Sequence, residues 1–425
     1  CKKCQQRIKK HGLKDEHELQ SYFIQRVQKM LEKHGKKMIG WDEILEGGLA
    51  PNAIVMSWRG EEGGIAAANS GHDVIMTPGG WCYLDHYQGS EKVEPESIGG
   101  YTTLEKSYSY QPIPKAISAD KVHHVLGTQG NVWSEYLYSE EVAEHRIYPR
   151  IIALAEVGWS TAKNQNFKDF WRRMQNQFVR LDLHNINFRI PKPEGPANFV
   201  AFQDSVKLTF TTTEPTAMYY TTDGSEPNKN SQKYTEPISL KEDATLKIRT
   251  VLPMGKASAV RTIKVRKQEP TPNVTVEKTQ TGLKMKLAKG NFSEVADLDR
   301  VQKWQESVME NPNQRAADLF GERETAAMIL EGFLEIPETG AYRFSTTNDQ
   351  LFLDGKLLIS NDKELRKHSK NDAMKVLEKG LHPIRIVFLN SIRGGYPTTW
   401  GSIEVKWQMP NAEKLQQIPA EMYKH

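Results

Sequence analysis

The chain has 425 residues, 38% of them hydrophobic and 26% charged, with 9 Trp, 15 Tyr and 14 Phe, an ordinary globular composition with apolar material for two to four domains of about 100–200 residues each. Its 57 basic and 53 acidic residues leave a net charge of +4, which gives no reason to propose nucleic acid or an anionic membrane as partner. No apolar run approaches the roughly 18 residues that a membrane-spanning helix needs.

The first residues, CKKCQQRIKK, place Cys1 and Cys4 in a CxxC that leads straight into a helix, with Cys82 alone. A zinc site needs a second Cys/His pair at ligand spacing, and a thioredoxin-type motif should follow a strand. Ordinary cysteines or a local disulfide are expected, and no metal or cofactor is called for. The opening lacks an initiator Met and a signal peptide, so further sequence is expected upstream of Cys1.

From 15 to 34 the stripe Leu19, Phe23, Ile24, Val27, Met30 and Leu31 predicts a helix, ended by Gly35. KKMIGW follows as a strand, then NAIVMSW as a second, reached through Gly-Gly and Pro51. Residues 61–69 read as a short helix, DVIMT as a third strand, 78–119 as a long loop, and HHVLGTQ as a fourth strand. One helix is expected over 140–157, on Val142, Ile147, Ile151, Leu154 and Ala155, and another over 167–183. This alternation means a parallel sheet covered by helices. From 193 to 267 the pattern turns to short strands such as VKLTFTTT and ATLKIRTV, a small all-β module. QEPTPN reads as a linker within a boundary at 267/268, and 268–425 as a second all-β region with a hairpin at Asp354-Gly355.

In a parallel β/α sheet, function gathers where the strands end. The first strand ends at Trp41, before Asp42 and Glu43. The second ends at Trp58. The third runs into TPGGWCYLD, with Trp81, Tyr83 and Asp85, and the fourth into TQGNVWSEY, with Trp133 and Glu135. Any one Trp is readily explained as core, but Met38, Ile39, Ile54, Val55, Val74 and Ile75 already fill the strand interiors. Indoles ringed by carboxylates suit a pyranose, whose C–H faces lie on aromatic rings and whose hydroxyls donate to acids. No Gly-rich phosphate loop or cationic cluster competes with that reading.

GWDEIL, VMSWRG, YLD, NVWSEY and YPRIIALAEVGW, in that order over about residues 1–190, resemble the second half of the catalytic barrel of family 20 glycoside hydrolases, the β-N-acetylhexosaminidases. The resemblance implies strands five to eight of a (β/α)8 TIM barrel. It also implies a retaining, substrate-assisted reaction in which the substrate's own acetamido oxygen attacks the anomeric carbon to give an oxazoline. Carried over, Trp41, Trp58 and Trp133 box the acetamido methyl, Tyr83 holds the acetamido oxygen, and Asp85 and Glu135 accept from the sugar's outer hydroxyls. The family's Gly-Gly-Asp-Glu, with the proton donor and the nitrogen-orienting aspartate, does not occur in these residues. It is expected upstream of Cys1, so the chain alone is expected to be inactive. An arginine that the family uses on the sugar's hydroxyls is also missing, and Ile98 stands where some members carry a loop tryptophan. Asp42-Glu43 follows the wrong strand to be the acid–base pair and is expected to brace the rim. Two other readings are a glycan-binding or scaffold protein without catalysis, and a different hydrolase using Asp42 or Glu43.

YYTTDGSEPN resembles the small β-sandwich of bacterial hexosaminidases, and GFLEIPETGAYRFSTTNDQLFLDGKLLISND an anthrax-protective-antigen-type sandwich. Sugar-binding members of the latter use paired aspartates with calcium, where this chain has Asn348-Asp349. Trp400 and Trp407 are candidates for a sugar platform, with strand-core roles favoured. The expected partner is a glycan with terminal β-linked N-acetylhexosamine. The open edge of the first strand also invites a homodimer. The family implies a periplasmic, outer-membrane-associated or secreted location.

Overall fold

The computed structural model describes residues 1–321, 324–362, 372–393, 396–397, 402–410 and 412–425. They divide into two compact units. The first holds Cys1–Lys192 with Thr212–Thr216 and Thr250–Ser258, and the second holds the remainder from Pro193 to His425.

The first unit is α/β. Its strands β1 (Ile39–Trp41), β2 (Ile54–Ser57), β3 (Val74–Met76) and β4 (Val125–Thr128) form one sheet in the order β1-β2-β3-β4. All pairs are parallel, with Ile39 opposite Ile54, Met56 opposite Ile75, and Met76 opposite Thr128. Parallel neighbours require crossovers, and helix α3 (Glu62–Asn69) makes the one from β2 to β3. Val55, Val74 and Met76 are buried on the helix side, in a core with Ala67, Ala68, Leu154 and Val157. Ile39, Trp41, Ile54, Met56 and Ile75 share the other face, by strand alternation and register.

Helix α1 (Lys2–His11) precedes α2 (Glu16–Glu32), which is capped by Asp15 accepting from the Glu18 amide at 3.0 Å. The apolar stripe on α2 is narrower than its sequence predicts. Ile24, Val27 and Leu31 pack on the core, whereas Phe23 and Met30 are 62% and 57% exposed. The single helix expected over 140–157 is two, α6 (Glu140–Ile147) and α7 (Arg150–Trp159), separated at Tyr148-Pro149. Proline lacks an amide hydrogen and its ring disfavours helical geometry in the residue before it, and Tyr148 is extended at φ −96°, ψ 134°. The long loop after β3 contains two short helices, α4 (Gly79–Cys82) and α5 (Leu104–Tyr108). Helix α8 (Phe167–Leu183) buries Phe170, Met174 and Phe178.

The second unit is built of β-sheets. Strands Phe199–Phe202, Arg261–Lys267, Ala244–Val251, Ala217–Thr221 and Gln232–Lys233 form one of them, with Val200, Leu246, Ile248, Ile263 and Val265 in its core. Farther along, a sheet around Ala326–Ile336 and Gly380–Asn390 and another around Gly340–Thr346 enclose Leu330, Phe344, Ile386 and Trp407. Asp354 and Gly355, at φ 52° and 70°, form the two-residue turn between Gln350–Leu353 and Lys356–Ser360, the paired positive φ of a type I′ hairpin. Trp407 is 1% exposed and belongs to the core. Trp400 lies outside the described residues. Asn348 and Asp349 are buried: the Asn348 amide donates to the Ile403 carbonyl at 3.2 Å, and Asp349 accepts from the Leu389 amide at 2.6 Å. No helix among the described residues is long and apolar enough to cross a membrane.

Candidate active site

Each strand of the parallel sheet delivers one part of a cleft. β1 stops at Trp41 because Asp42–Leu45 turn into a 3-10 helix that folds Ile44 back over Gly40. A Cβ on Gly40 would lie 2.8 Å from Ile44, so a side chain there would disrupt the turn that presents Trp41. β2 ends at Ser57, whose hydroxyl donates to the Gly60 carbonyl at 2.8 Å and accepts the Gly64 amide at 2.9 Å. That turn leaves Trp58 on the rim. The segments after β3 and β4 are laced together through Asn131. Its amide donates to the Cys82 carbonyl, its carbonyl accepts from the Leu84 amide at 2.7 Å, and its side chain donates to Thr77 Oγ1 at 2.8 Å. Tyr83 and Trp133 are thereby set side by side.

Trp41, Trp58, Tyr83, Asp85, Trp133 and Glu135 all line this cleft, whose volume is about 350 Å³, within the roughly 300–1,000 Å³ typical of small-ligand sites. Trp41 and Trp133 have ring centroids 5.5 Å apart, Tyr83 and Trp133 6.5 Å, and Trp58 stacks on Tyr83 at 6.2 Å with 24° between planes. Three further residues complete the wall: Glu43, His86 and Ile98. Glu43 and Ile98 stand out in the sequence for other reasons. His86 was missed, because a residue next to Asp85 in an extended segment should point the other way. The chain turns there, with the His86 amide 3.4 Å from the Tyr83 carbonyl, so the imidazole comes back to 5.5 Å from the Tyr83 ring.

The electrostatics follow from burial. Asp85 is 6% exposed and its Oδ1 has no hydrogen-bond partner. Burial pushes its carboxyl up to about 6; Glu135 adds to the rise, while the Arg150 and Arg146 charges oppose it. Burial, together with the Arg150 charge, brings His86 down to about 4, so its ring is neutral at pH 7, with Nδ1 3.1 Å from Thr102 Oγ1. Burial also raises the Tyr83 phenol, against hydrogen bonds from Trp133 and Asn131. The cleft therefore offers aromatic faces, a neutral phenol and an acceptor oxygen with nothing yet to accept.

The loop carrying Tyr83, Asp85 and His86 is fastened from behind. Arg146 of α6 donates to the Pro95 and Glu96 carbonyls, each at 2.7 Å, and Arg150 of α7 to the Leu84 carbonyl and, at 2.8 Å, the Thr102 carbonyl. Ser97 Oγ donates to the Asp85 carbonyl at 2.6 Å. Arg189 pairs with Glu94 at 2.7 Å and with Glu214 at 2.9 Å, and His145 Nε2 lies 3.2 Å from the other Glu94 oxygen.

Residues 1–162 match the model of the glycosyl hydrolase family 20 catalytic domain. This segment belongs to glycosyl hydrolase family 20. Behind the family 20 segment, residues 196–262 match the chitobiase/beta-hexosaminidase C-terminal domain and residues 280–420 the PA14 domain. A beta-hexosaminidase of Porphyromonas gingivalis is 47% identical over 99% of this chain and 56% of its own length. One of Vibrio furnissii is 34% identical over 37% of this chain and 26% of its own. The chain thus spans about half the length of the first of these relatives and about a quarter of the second. A solved GH20 exo β-N-acetylglucosaminidase from Vibrio harveyi is 30% identical, with a TM-score of 0.40, covering 44% of this chain and 30% of that one.

Proposed function

We propose that this chain supplies the sugar-binding wall of a β-N-acetylhexosaminidase that removes terminal β-linked N-acetylglucosamine or N-acetylgalactosamine from glycans. In that reading β1–β4 are the fifth to eighth strands of a (β/α)8 barrel. The observation that carries it is the convergence of Trp41, Trp58, Tyr83, Asp85, Trp133 and Glu135, from four successive strand ends, on one cleft. The three indoles enclose the acetamido methyl and hold the acetamido oxygen in line with the anomeric carbon, a proximity effect. Tyr83 donates to that oxygen as it becomes the nucleophile of the retaining, substrate-assisted step. Asp85 and Glu135 accept from the outer hydroxyls. The Gly-Gly-Asp-Glu pair that would donate the proton and orient the acetamido nitrogen is not in these 425 residues.

The purified chain should therefore bind N-acetylglucosamine without cleaving an aryl N-acetylglucosaminide. Glucose, lacking the acetamido group, should bind at least about tenfold more weakly, from the lost methyl burial and hydrogen bond. Calorimetric titration with both sugars checks this, and equal affinity for the two would refute the box. Binding should also depend on acidity. With the Asp85 carboxyl titrating near 6, it is an ionised acceptor above that pH and loses acceptor capacity to a proton below it. Affinity should fall as pH drops from 7 to 5, and Asp85→Asn should flatten the profile. A slope that survives in the variant would assign the titration elsewhere.

A further inference from the structure

Asp42 and Glu43 follow the first indole of the cleft, and both reach across to the second. Both Glu43 carboxylate oxygens sit at Trp58 Nε1, 3.1 and 3.0 Å away. Asp42 Oδ2 accepts the backbone amides of Trp58 at 2.9 Å and Arg59 at 3.2 Å, and Oδ1 accepts Arg59 Nε at 2.5 Å. Arg59 is held in turn by Glu46 at 2.6 Å. Trp58 is thus gripped at its main chain by one carboxylate and at the far end of its ring by the next.

An indole has two free torsions, and the only polar atom on its ring is Nε1. Fixing the Cα and Nε1 leaves one orientation for the ring, which here stacks on Tyr83. A charge-assisted hydrogen bond is the stronger kind, and it keeps this end of the indole from turning to water. We infer that Glu43 is a positioning residue: it sets the plane of Trp58 against which the N-acyl group of the sugar packs, and it transfers no proton itself. This rests on the proposal that the cleft takes an N-acetylated sugar. It also accounts for an acid that lines the cleft without an expected contact to the sugar's outer hydroxyls.

Glutamine keeps an acceptor oxygen at the same place, whereas leucine offers none. Nitrogen-15 spectra of the tryptophan indoles, with Trp58 assigned through Trp58→Phe, read the clamp directly. In Glu43→Gln the Trp58 indole proton should stay hydrogen-bonded. In Glu43→Leu it should move to the position of a solvated indole, for which Trp159, 93% exposed, is the internal standard. Affinity for N-acetylglucosamine should hold within about threefold in Glu43→Gln and fall about tenfold or more in Glu43→Leu, the loss expected for a charged hydrogen bond. In a Trp58→Phe background, Glu43→Leu should cost nothing further, because its effect runs through the indole. An unmoved Trp58 resonance in Glu43→Leu, or an undiminished loss in the Phe background, overturns the clamp. If the unmutated chain binds no N-acetylglucosamine, the sugar reading falls while the resonance still decides for or against the clamp. Should Glu43→Leu fail to fold, Glu43→Gln and Glu43→Ala stand in for the acceptor and the non-acceptor.

Discussion

Arg189→Met is expected to lower stability by about 3–5 kcal/mol, the cost of breaking a buried ion pair from one side, which corresponds to a melting point lower by about 10 °C for a unit of this size. Arg189, Glu94 and Glu214 are all nearly inaccessible. Methionine fills much of the arginine's volume, so the loss reports charge rather than a cavity. It strands two carboxylates: Glu94, 2.7 Å from Nε, and Glu214, 2.9 Å from Nη1. Scanning calorimetry gives the number, and a change under about 1 kcal/mol would mean that water reaches the knot. Acid should erode the same stabilisation. Burial alone would raise the Glu94 carboxyl, but the Arg189 charge and the His145 hydrogen bond overcome it and hold the group well below the usual range. A depressed carboxylate stabilises the fold above its unfolded pKa, near 4.5, and the contribution drains away as pH falls below that. The difference between the native protein and Arg189→Met should therefore shrink in strong acid.

Under the proposed N-acetylhexosaminidase reading, Tyr83→Phe in a protein that joins this chain to a catalytic Asp-Glu pair should reduce kcat by about 10²–10³, the range for removing one donor from a developing negative oxygen, with a much smaller change in KM. Phenylalanine preserves the ring that stacks on Trp58 at 6.2 Å, so ground-state packing of the sugar survives. What is lost is a hydroxyl whose burial favours the neutral, donating form. Steady-state kinetics on an aryl N-acetylglucosaminide separate the two parameters. An unchanged kcat would remove Tyr83 from the chemistry and leave it as a wall of the cleft; a rise in KM alone would make it a ground-state binder.

Much of the first unit was legible because its strands are short apolar runs bounded by turn residues. Ile54–Ser57 and Val74–Met76 stand out in this way. Three features escaped for physical reasons. The break at Pro149 was hidden by an apolar spacing that continues through it, from Ile147 to Ile151 and Leu154. Helices of four and five residues, such as Gly79–Cys82 and Leu104–Tyr108, are too short to show a 3.6-residue period. Phe23 and Met30 lie at helical spacing with Ile24, Val27 and Leu31, yet spacing defines an arc and not its width, so the edges of the stripe came out exposed. At the cleft, position relative to strand ends was enough to bring the indoles and acids onto one lining. His86 depended on a local reversal of the chain that alternation argues against. The partners of Asp42 and Glu43 lie 15 to 17 residues away, and no local pattern announces them.

The two arginines behind the long loop bear on how a ligand gets in. Arg146 and Arg150 sit four residues apart, on either side of the break between α6 and α7, and between them they tether both limbs of that loop, at Leu84, Pro95, Glu96 and Thr102. A lip pinned at four carbonyls does not swing as a flap. The mouth is set before any ligand arrives, and the entropy that a floppy mouth would surrender on capture has already been given up when the chain folds.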